Sequence, residues 1–101
     1  MAGYWIANFT IHDPEKFKRY LELTPGVGNF GGRMVVLEKN PTVLKGEPYQ
    51  VIAVIEFESV EAANRWYTSS EYQAVVDLWV QSVEGWSIVA GEILGAKNLV
   101  D

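Results

Sequence analysis

Apolar and polar positions alternate from the first residues onward. Trp5, Ala7, Phe9 and Ile11 are apolar, and between them stand the mixed set Tyr4, Ile6, Asn8 and Thr10. A period of two marks a strand with one greasy face, so a first strand is expected over residues 3–11. The period then changes. Asp13 offers an N-cap oxygen, Pro14 suits the first helical position, and Phe17, Tyr20 and Leu21 recur at helical spacing. Pro25-Gly26 should break that helix, and Thr24-Pro25 can cap a short further turn toward Phe30. Gly31-Gly32 reads as a sharp turn into a second strand, Arg33 to Glu38, which Asn40-Pro41 stops. Thr42-Val43-Leu44 is a candidate brief strand, followed by a turn at Lys45-Gly46-Glu47-Pro48.

Tyr49 to Phe57 is the clearest strand. Val51, Ala53, Ile55 and Phe57 face one way, while Ile52 and Val54 face the other between Gln50 and Glu56. Apolar residues on both faces indicate a central strand covered on both sides. The helical regions of this chain suffice for one face. A second copy of the sheet is the economical cover for the other, so a homodimer is expected. Ser59 caps the next helix, which carries Val60, Ala63 and Trp66-Tyr67 and breaks at Thr68-Ser69-Ser70. Ser70-Glu71-Tyr72-Gln73 fits a capping box. A third helix then carries Tyr72, Val75, Val76, Trp79, Val80 and Val83, and Gly85 should close it. Trp86 to Leu94 is the expected last strand. Residues 1–95 are expected to form a single domain and residues 96–101 a C-terminal tail.

The first strand–cap–helix unit, Phe9 to Tyr20, recurs at Ile55 to Trp66. Asp13 aligns with Ser59, Glu15 with Glu61, Arg19 with Arg65 and Tyr20 with Trp66. In order, the elements are strand, helix, strand, strand, helix, strand. That sequence of elements predicts an α+β ferredoxin-like fold, a split β-α-β sandwich with an antiparallel sheet.

Composition narrows the functions. Thirteen acidic residues oppose eight basic ones, for a net charge of −5, which works against binding phosphate backbones. No nucleic-acid partner is expected. The chain has no cysteine, so disulfides, thiolate nucleophiles and cysteine metal sites are excluded. This agrees with a cytoplasmic location, which is the expectation. The longest purely apolar run, Val51 to Ile55, is far too short to span a bilayer, and Met1 to Asn8 lacks the basic start of a signal peptide. With one histidine and no ligand-spaced carboxylates, no metal is expected. No phosphate loop or nucleophile elbow is present.

Six strings, Gly3-Tyr4-Trp5-Ile6-Ala7, Asp13-Pro14-Glu15, Gly31-Gly32-Arg33, Val54-Ile55-Glu56-Phe57, Ala62-Ala63 and Ser70-Glu71-Tyr72-Gln73, stand in a specific order and spacing. Together they resemble the uncharacterised family known as domain of unknown function thirteen-thirty, of the dimeric α/β-barrel superfamily. The resemblance covers roughly Gly3 to Glu92. It implies a homodimer in which two four-stranded sheets face each other as a barrel with the helices outside. It implies no particular reaction. The wider superfamily holds cofactor-independent monooxygenases of aromatic polyketides, haem-degrading enzymes and muconolactone isomerases, so fold analogy is only associational here. No cofactor is expected; for haem, His12 would be the one histidine ligand. The chain departs from the family pattern at Pro25-Gly26-Val27-Gly28, which interrupts the first helix. It departs again at Leu78-Trp79-Val80, where an arginine is frequent. Both changes bear on the shape of a pocket beside the sheet.

The candidate site residues follow from position and chemistry. His12 ends the first strand before a helix cap and is suited to proton exchange near neutral pH; otherwise it is a surface turn residue. Tyr20, Trp66, Tyr67, Tyr72 and Trp79 either line a pocket for a flat apolar ligand or form an aromatic core. Tyr72, just inside a helix start, is the first choice for a hydroxyl at a pocket rim. Arg33 can hold a carboxylate in a two-pronged grip, and Glu56 on the outer face needs a donor; the two also make a plausible structural pair. The sequence therefore leads to a small-molecule-handling protein. One form is a cofactor-independent oxygenase or isomerase acting on a small, flat organic substrate. Its catalytic residues would be His12 and Tyr72, with Arg33, Trp66, Tyr20 and Glu56 binding the substrate. The other form is a non-catalytic dimeric module for ligand binding or interaction.

Overall fold

The computed structural model describes residues 1–91 and Leu99. Along these residues run β1 (Gly3–Ile11), α1 (Pro14–Leu23), a 3-10 turn (Val27–Phe30), β2 (Gly32–Glu38), β3 (Val51–Phe57), α2 (Val60–Thr68), α3 (Ser70–Gln73), α4 (Val76–Ser82) and β4 (Val83–Ala90). The strands form one antiparallel sheet in the order β2-β3-β1-β4. The two strands with apolar residues on both faces, β1 and β3, are its centre. This is the α+β ferredoxin-like arrangement that the order of elements predicts. Residues 92–94 of the expected last strand lie outside the described residues, as does the expected tail apart from Leu99.

Period-two alternation assigns the two faces of the sheet. Trp5, Ala7 and Phe9 of β1 and Val51, Ala53, Ile55 and Phe57 of β3 are buried beneath the helices. From above, Ala62, Ala63 and Trp66 of α2, Tyr72 of α3 and Trp79 of α4 close this core. Full burial of a large apolar side chain is worth about 1.5–3 kcal/mol, so this layer is the main source of stability. By contrast, α1 buries only Tyr20 fully, and its Leu21 and Leu23 are 61% and 53% exposed. It leans on α4 and leaves part of the sheet beneath it open.

The ends of the elements follow local chemistry. The Asp13 carboxylate accepts from the Lys16 amide at 3.1 Å, and the Ser59 hydroxyl from the Ala62 amide at 3.0 Å. These equivalent caps start α1 and α2, as the repeat predicts. Thr24 ends α1 in an extended conformation, as expected before a proline. Gly31 then takes φ 76°, a left-handed position that glycine fills without a Cβ clash, and turns the chain into β2. Within β2 the pairing to β3 jumps between Met34 and Val36, leaving Val35 as a bulge. Because of the bulge, Met34 and Leu37 share the helix-side face, opposite Ile55 and Ala53.

Several expected boundaries are corrected. Gly85 does not close a helix: α4 ends at Ser82 and β4 begins at Val83. Pairing with β1 begins at Ile11 opposite Val83, and that ladder overrides the helical spacing of Val80 and Val83. The capping box at Ser70 does not form. Ser69 is the cap, its hydroxyl accepting from the Tyr72 amide at 3.1 Å, while Gln73 donates instead to the Tyr67 carbonyl at 2.6 Å. The expected third helix is two helices, because Val75 leaves helical geometry at φ −120°, ψ −6° as it enters the core. No strand forms at Thr42-Val43-Leu44; Leu44 is 94% exposed and has no surface to pack on. β3 starts at Val51 rather than Tyr49, since side chains of β1 hold the preceding backbone. The Asn8 side chain donates to the carbonyls of Tyr49 and Val51 and accepts from the Tyr49 amide, and the Thr10 hydroxyl accepts from the Gln50 amide.

Candidate active site

Where α1 stands away from the sheet, a cavity of about 710 Å³ opens between them. Its floor is the helix-side face of β1 and β3, with Trp5, Phe9, Ala53 and Ile55. Trp66 and Trp79 close its inner side, and Phe17 and Tyr20 of α1 form the roof. The exposed lining residues Leu21, Met34, Leu37, Lys39 and Gln50 mark the mouth. The walls are largely apolar, with six aromatic rings among them that meet one another edge-on or tilted. Trp5 and Trp66 are 5.7 Å apart with planes at 75°, and Phe9 and Trp79 are 5.7 Å apart at 68°.

One polar device reaches this space from the core. The hydroxyls of Tyr20 and Tyr72 are 2.9 Å apart, and the two rings stand nearly perpendicular at 6.1 Å. Tyr20 lines the cavity, whereas Tyr72 stands behind it against Trp66, at 4.3 Å between rings. Burial pushes both phenols above their ordinary range. For Tyr72 the neighbouring Tyr20 adds to the rise, while for Tyr20 the hydrogen bond shared with Tyr72 offsets part of it. At neutral pH the pair is therefore uncharged and acts as a hydrogen-bond donor rather than a base. The indole nitrogens of Trp5 and Trp66 are buried with no hydrogen-bond partner among the described residues, at a cost of about 1–3 kcal/mol each. Aromatic rings pack against both indoles.

The six residues singled out from the sequence fall into three places. Tyr20, Trp66 and Tyr72 come together at the cavity. Arg33 and Glu56 meet on the opposite face of the sheet, where they stand directly across from each other in β2 and β3. The Arg33 guanidinium bonds one Glu56 oxygen at 3.0–3.1 Å, and the Tyr4 hydroxyl reaches the other at 3.3 Å. This pair borders a smaller recess of about 320 Å³ with Gly31, Gly32 and Glu58. His12 is exposed between Ile11 and Pro14, which line the large cavity although His12 does not. Sequence reasoning missed Trp5 and Phe9 as walls, and Lys39 and Gln50 at the mouth. The first two are legible as core, but the position of α1 decides which core residues face a void. Among the described residues there is no cluster of three His, Asp or Glu suited to a metal. Nor is any helix among them long and apolar enough to cross a membrane.

A sequence model of the family described as Domain of unknown function (DUF1330) matches residues 2–91. The chain belongs to that family. No functionally curated protein matches this DUF1330 chain in sequence. Solved structures similar to it share its fold at low identity. A protein of unknown function from Rhodopseudomonas palustris superposes with a TM-score of 0.72 at 15% identity, over 93% of this chain and 84% of that one. SnoaB, a cofactor-independent oxygenase from Streptomyces nogalater, gives a TM-score of 0.60 at 11% identity, over 93% and 95% of the two chains. A dimeric protein of unknown function with a ferredoxin-like fold, from Bacteroides fragilis, gives 0.55 at 16% identity, over 90% and 96%.

Proposed function

We propose that this protein holds a small, flat, largely apolar organic molecule in the cavity between α1 and the sheet, and that it works as a homodimeric α/β barrel. The observation that carries the reading is the cavity: some 710 Å³ of space walled by Trp5, Phe9, Trp66 and Trp79. Volumes of this order suit small organic ligands, and aromatic walls suit planar ones. The dimer is supported by the outer face of the sheet. There Ile6, Ile52, Val54 and Val36 form an apolar centre that no helix among the described residues covers, extended by Trp86 and Ile88, which are 44% and 50% exposed. A second sheet placed face to face removes that surface from water.

The chemistry assigned to the cavity is cofactor-independent oxygenation or isomerisation. Tyr20 and Tyr72 supply its hydroxyl pair, and Trp66 stacks on the substrate. SnoaB, of like fold, is a cofactor-independent oxygenase, which makes oxygenation the first of the two to test. His12 serves as a proton exchanger at the rim. Arg33, at the smaller recess on the other face of the sheet, orients a separate anionic group there by exchanging its bond to Glu56 for one to that group. One observation favours the non-catalytic alternative: the cavity's described lining residues include no carboxylate and no imidazole.

Native mass spectrometry of gently purified protein tests both halves. A dimer carrying a small extra mass is expected. A bare monomer would overturn the barrel and leave the ligand unsupported. The released molecule, once identified, is then returned to the protein under air and under nitrogen. Oxygen-dependent loss of ligand identifies an oxygenase, rearrangement under both gases an isomerase, and no turnover a binding module. Full turnover in both His12→Ala and Tyr72→Phe variants would remove these residues from the mechanism.

A further inference from the structure

We infer that the ligand carries one acidic group, and that the Lys39 ammonium with the Gln50 amide holds it at the mouth of the cavity. The inference rests on the cavity being a ligand site, and it names the class of ligand: a planar apolar acid, such as an aromatic carboxylate. Among the described lining residues Lys39 alone carries a charge; the others are apolar or neutral. Its side chain makes no ion pair and no hydrogen bond among the described residues, whereas Arg33 is tied to Glu56 and Lys16 donates to Gln81. The nearest acidic residue in sequence, Glu38, lies on the other face of β2 opposite Ile52, and its carboxylate turns back to the Asn40 amide at 3.2 Å. A chain of net charge −5 thus presents one uncommitted cation at the entrance of its aromatic cavity.

The backbone that carries the Gln50 side-chain amide is held in place. Gln50 follows Tyr49, and both backbone amides are fixed by side chains of β1, Tyr49 to Asn8 at 3.1 Å and Gln50 to Thr10 at 3.2 Å. Lys39 and Gln50 open and close the segment between β2 and β3, so the two polar groups flank one lip of the mouth. A ligand that lays its rings along the floor would leave its acidic end at this lip. Bonds to such a group are charge-assisted and orient the ligand as well as hold it.

The test uses 2-naphthoate and its uncharged counterpart 2-naphthamide, with binding followed by quenching of the cavity tryptophans. Wild-type protein is expected to bind the acid about three- to fivefold more tightly than the amide, as a mouth-exposed ion pair allows. Lys39→Gln should abolish the preference, and Lys39→Arg should keep it. Raising salt should weaken the acid alone. Equal affinity for the two probes, or a preference that survives Lys39→Gln, would assign Lys39 to the ordinary solvated surface and overturn the inference with the cavity reading intact. Failure of both probes to bind would overturn the cavity reading and the inference with it.

Discussion

Tyr20 and Tyr72 share one hydrogen bond in the core, and their burial there governs how each behaves as an acid. Both phenols are raised, chiefly by burial, so the folded chain favours their protonated forms. The unfolded chain ionises its tyrosines near pH 10. Below that pH their contribution to stability is fully present. Above it the unfolded state sheds protons that the folded state retains, and stability falls by roughly 1 kcal/mol per pH unit for each phenol. Denaturant melts between about pH 8 and pH 11 should show this decline, shallower in the Tyr20→Phe/Tyr72→Phe variant; an equal slope would contradict it. A second residue-scale prediction concerns Gly85. It adopts φ 144°, and a Cβ there would lie 2.2 Å from the Asn8 carbonyl oxygen. Gly85→Ala should cost at least ~2 kcal/mol in the same melts, by strain and by pushing β4 from β1. A loss below about 0.5 kcal/mol would mean that the strand slides freely. Gly85 looked like a helix stop in the sequence because its conformational freedom suits both a C-cap and a close strand crossing. Only the partner strand decides between them.

Among the elements, the strands were more legible than the helix ends. β1 matched its alternation, and β3 matched except where Asn8 holds Tyr49 through a side chain. That substitution leaves no trace in periodicity, because the bonds replaced belong to the backbone. Three hydroxyl residues in a row, Thr68-Ser69-Ser70, offered competing caps, and capping-box spacing favoured the wrong one. Ser69 wins because its hydroxyl serves two bonds, to the Tyr72 amide and the Trp66 carbonyl, stitching the end of α2 to the start of α3. Ser69→Ala should therefore lower stability by about 1 kcal/mol, and Ser70→Ala by a few tenths at most. Thermal melts that reversed this order would restore the capping box at Ser70. The Arg33–Glu56 pair was legible because both residues are polar on strands that the fold makes neighbours. Lys39 and Gln50 were not, since their joint position depends on a bulge and on a loop held by side chains.

For the whole molecule, the expected interface lies on the outer face of the sheet. Ile52 sits there on a central strand, between Asn8 and Glu38. Ile52→Lys should leave the monomer folded and break the dimer, as read by light scattering beside circular dichroism. A dimer that persisted would place the contact elsewhere. The fold class could be read from the order of elements, because that order leaves few ways of building one sheet. The cavity could not, because it reflects where α1 comes to rest. Pro25 ends this helix early, and its Leu21 and Leu23 stay exposed rather than lying flat on β2 and β3.

The bulge at Val35 has a consequence that belongs to genes rather than to folding. It is one residue of slack in β2, and it reverses which side of the sheet every later residue of the strand faces. Leu37 and Lys39 stand at the cavity mouth because of that one inserted position. Loss of that one codon would use up the slack and leave Val36, Leu37 and Glu38 on the faces they already hold, now in regular alternation. A relative of equal length that paired without the bulge would instead bring Val36 and Glu38 to the mouth, and an acid would then meet a carboxylate. Relatives of this chain can thus be one residue shorter here with the same mouth, while an aligned column of identical residues can conceal opposite chemistries.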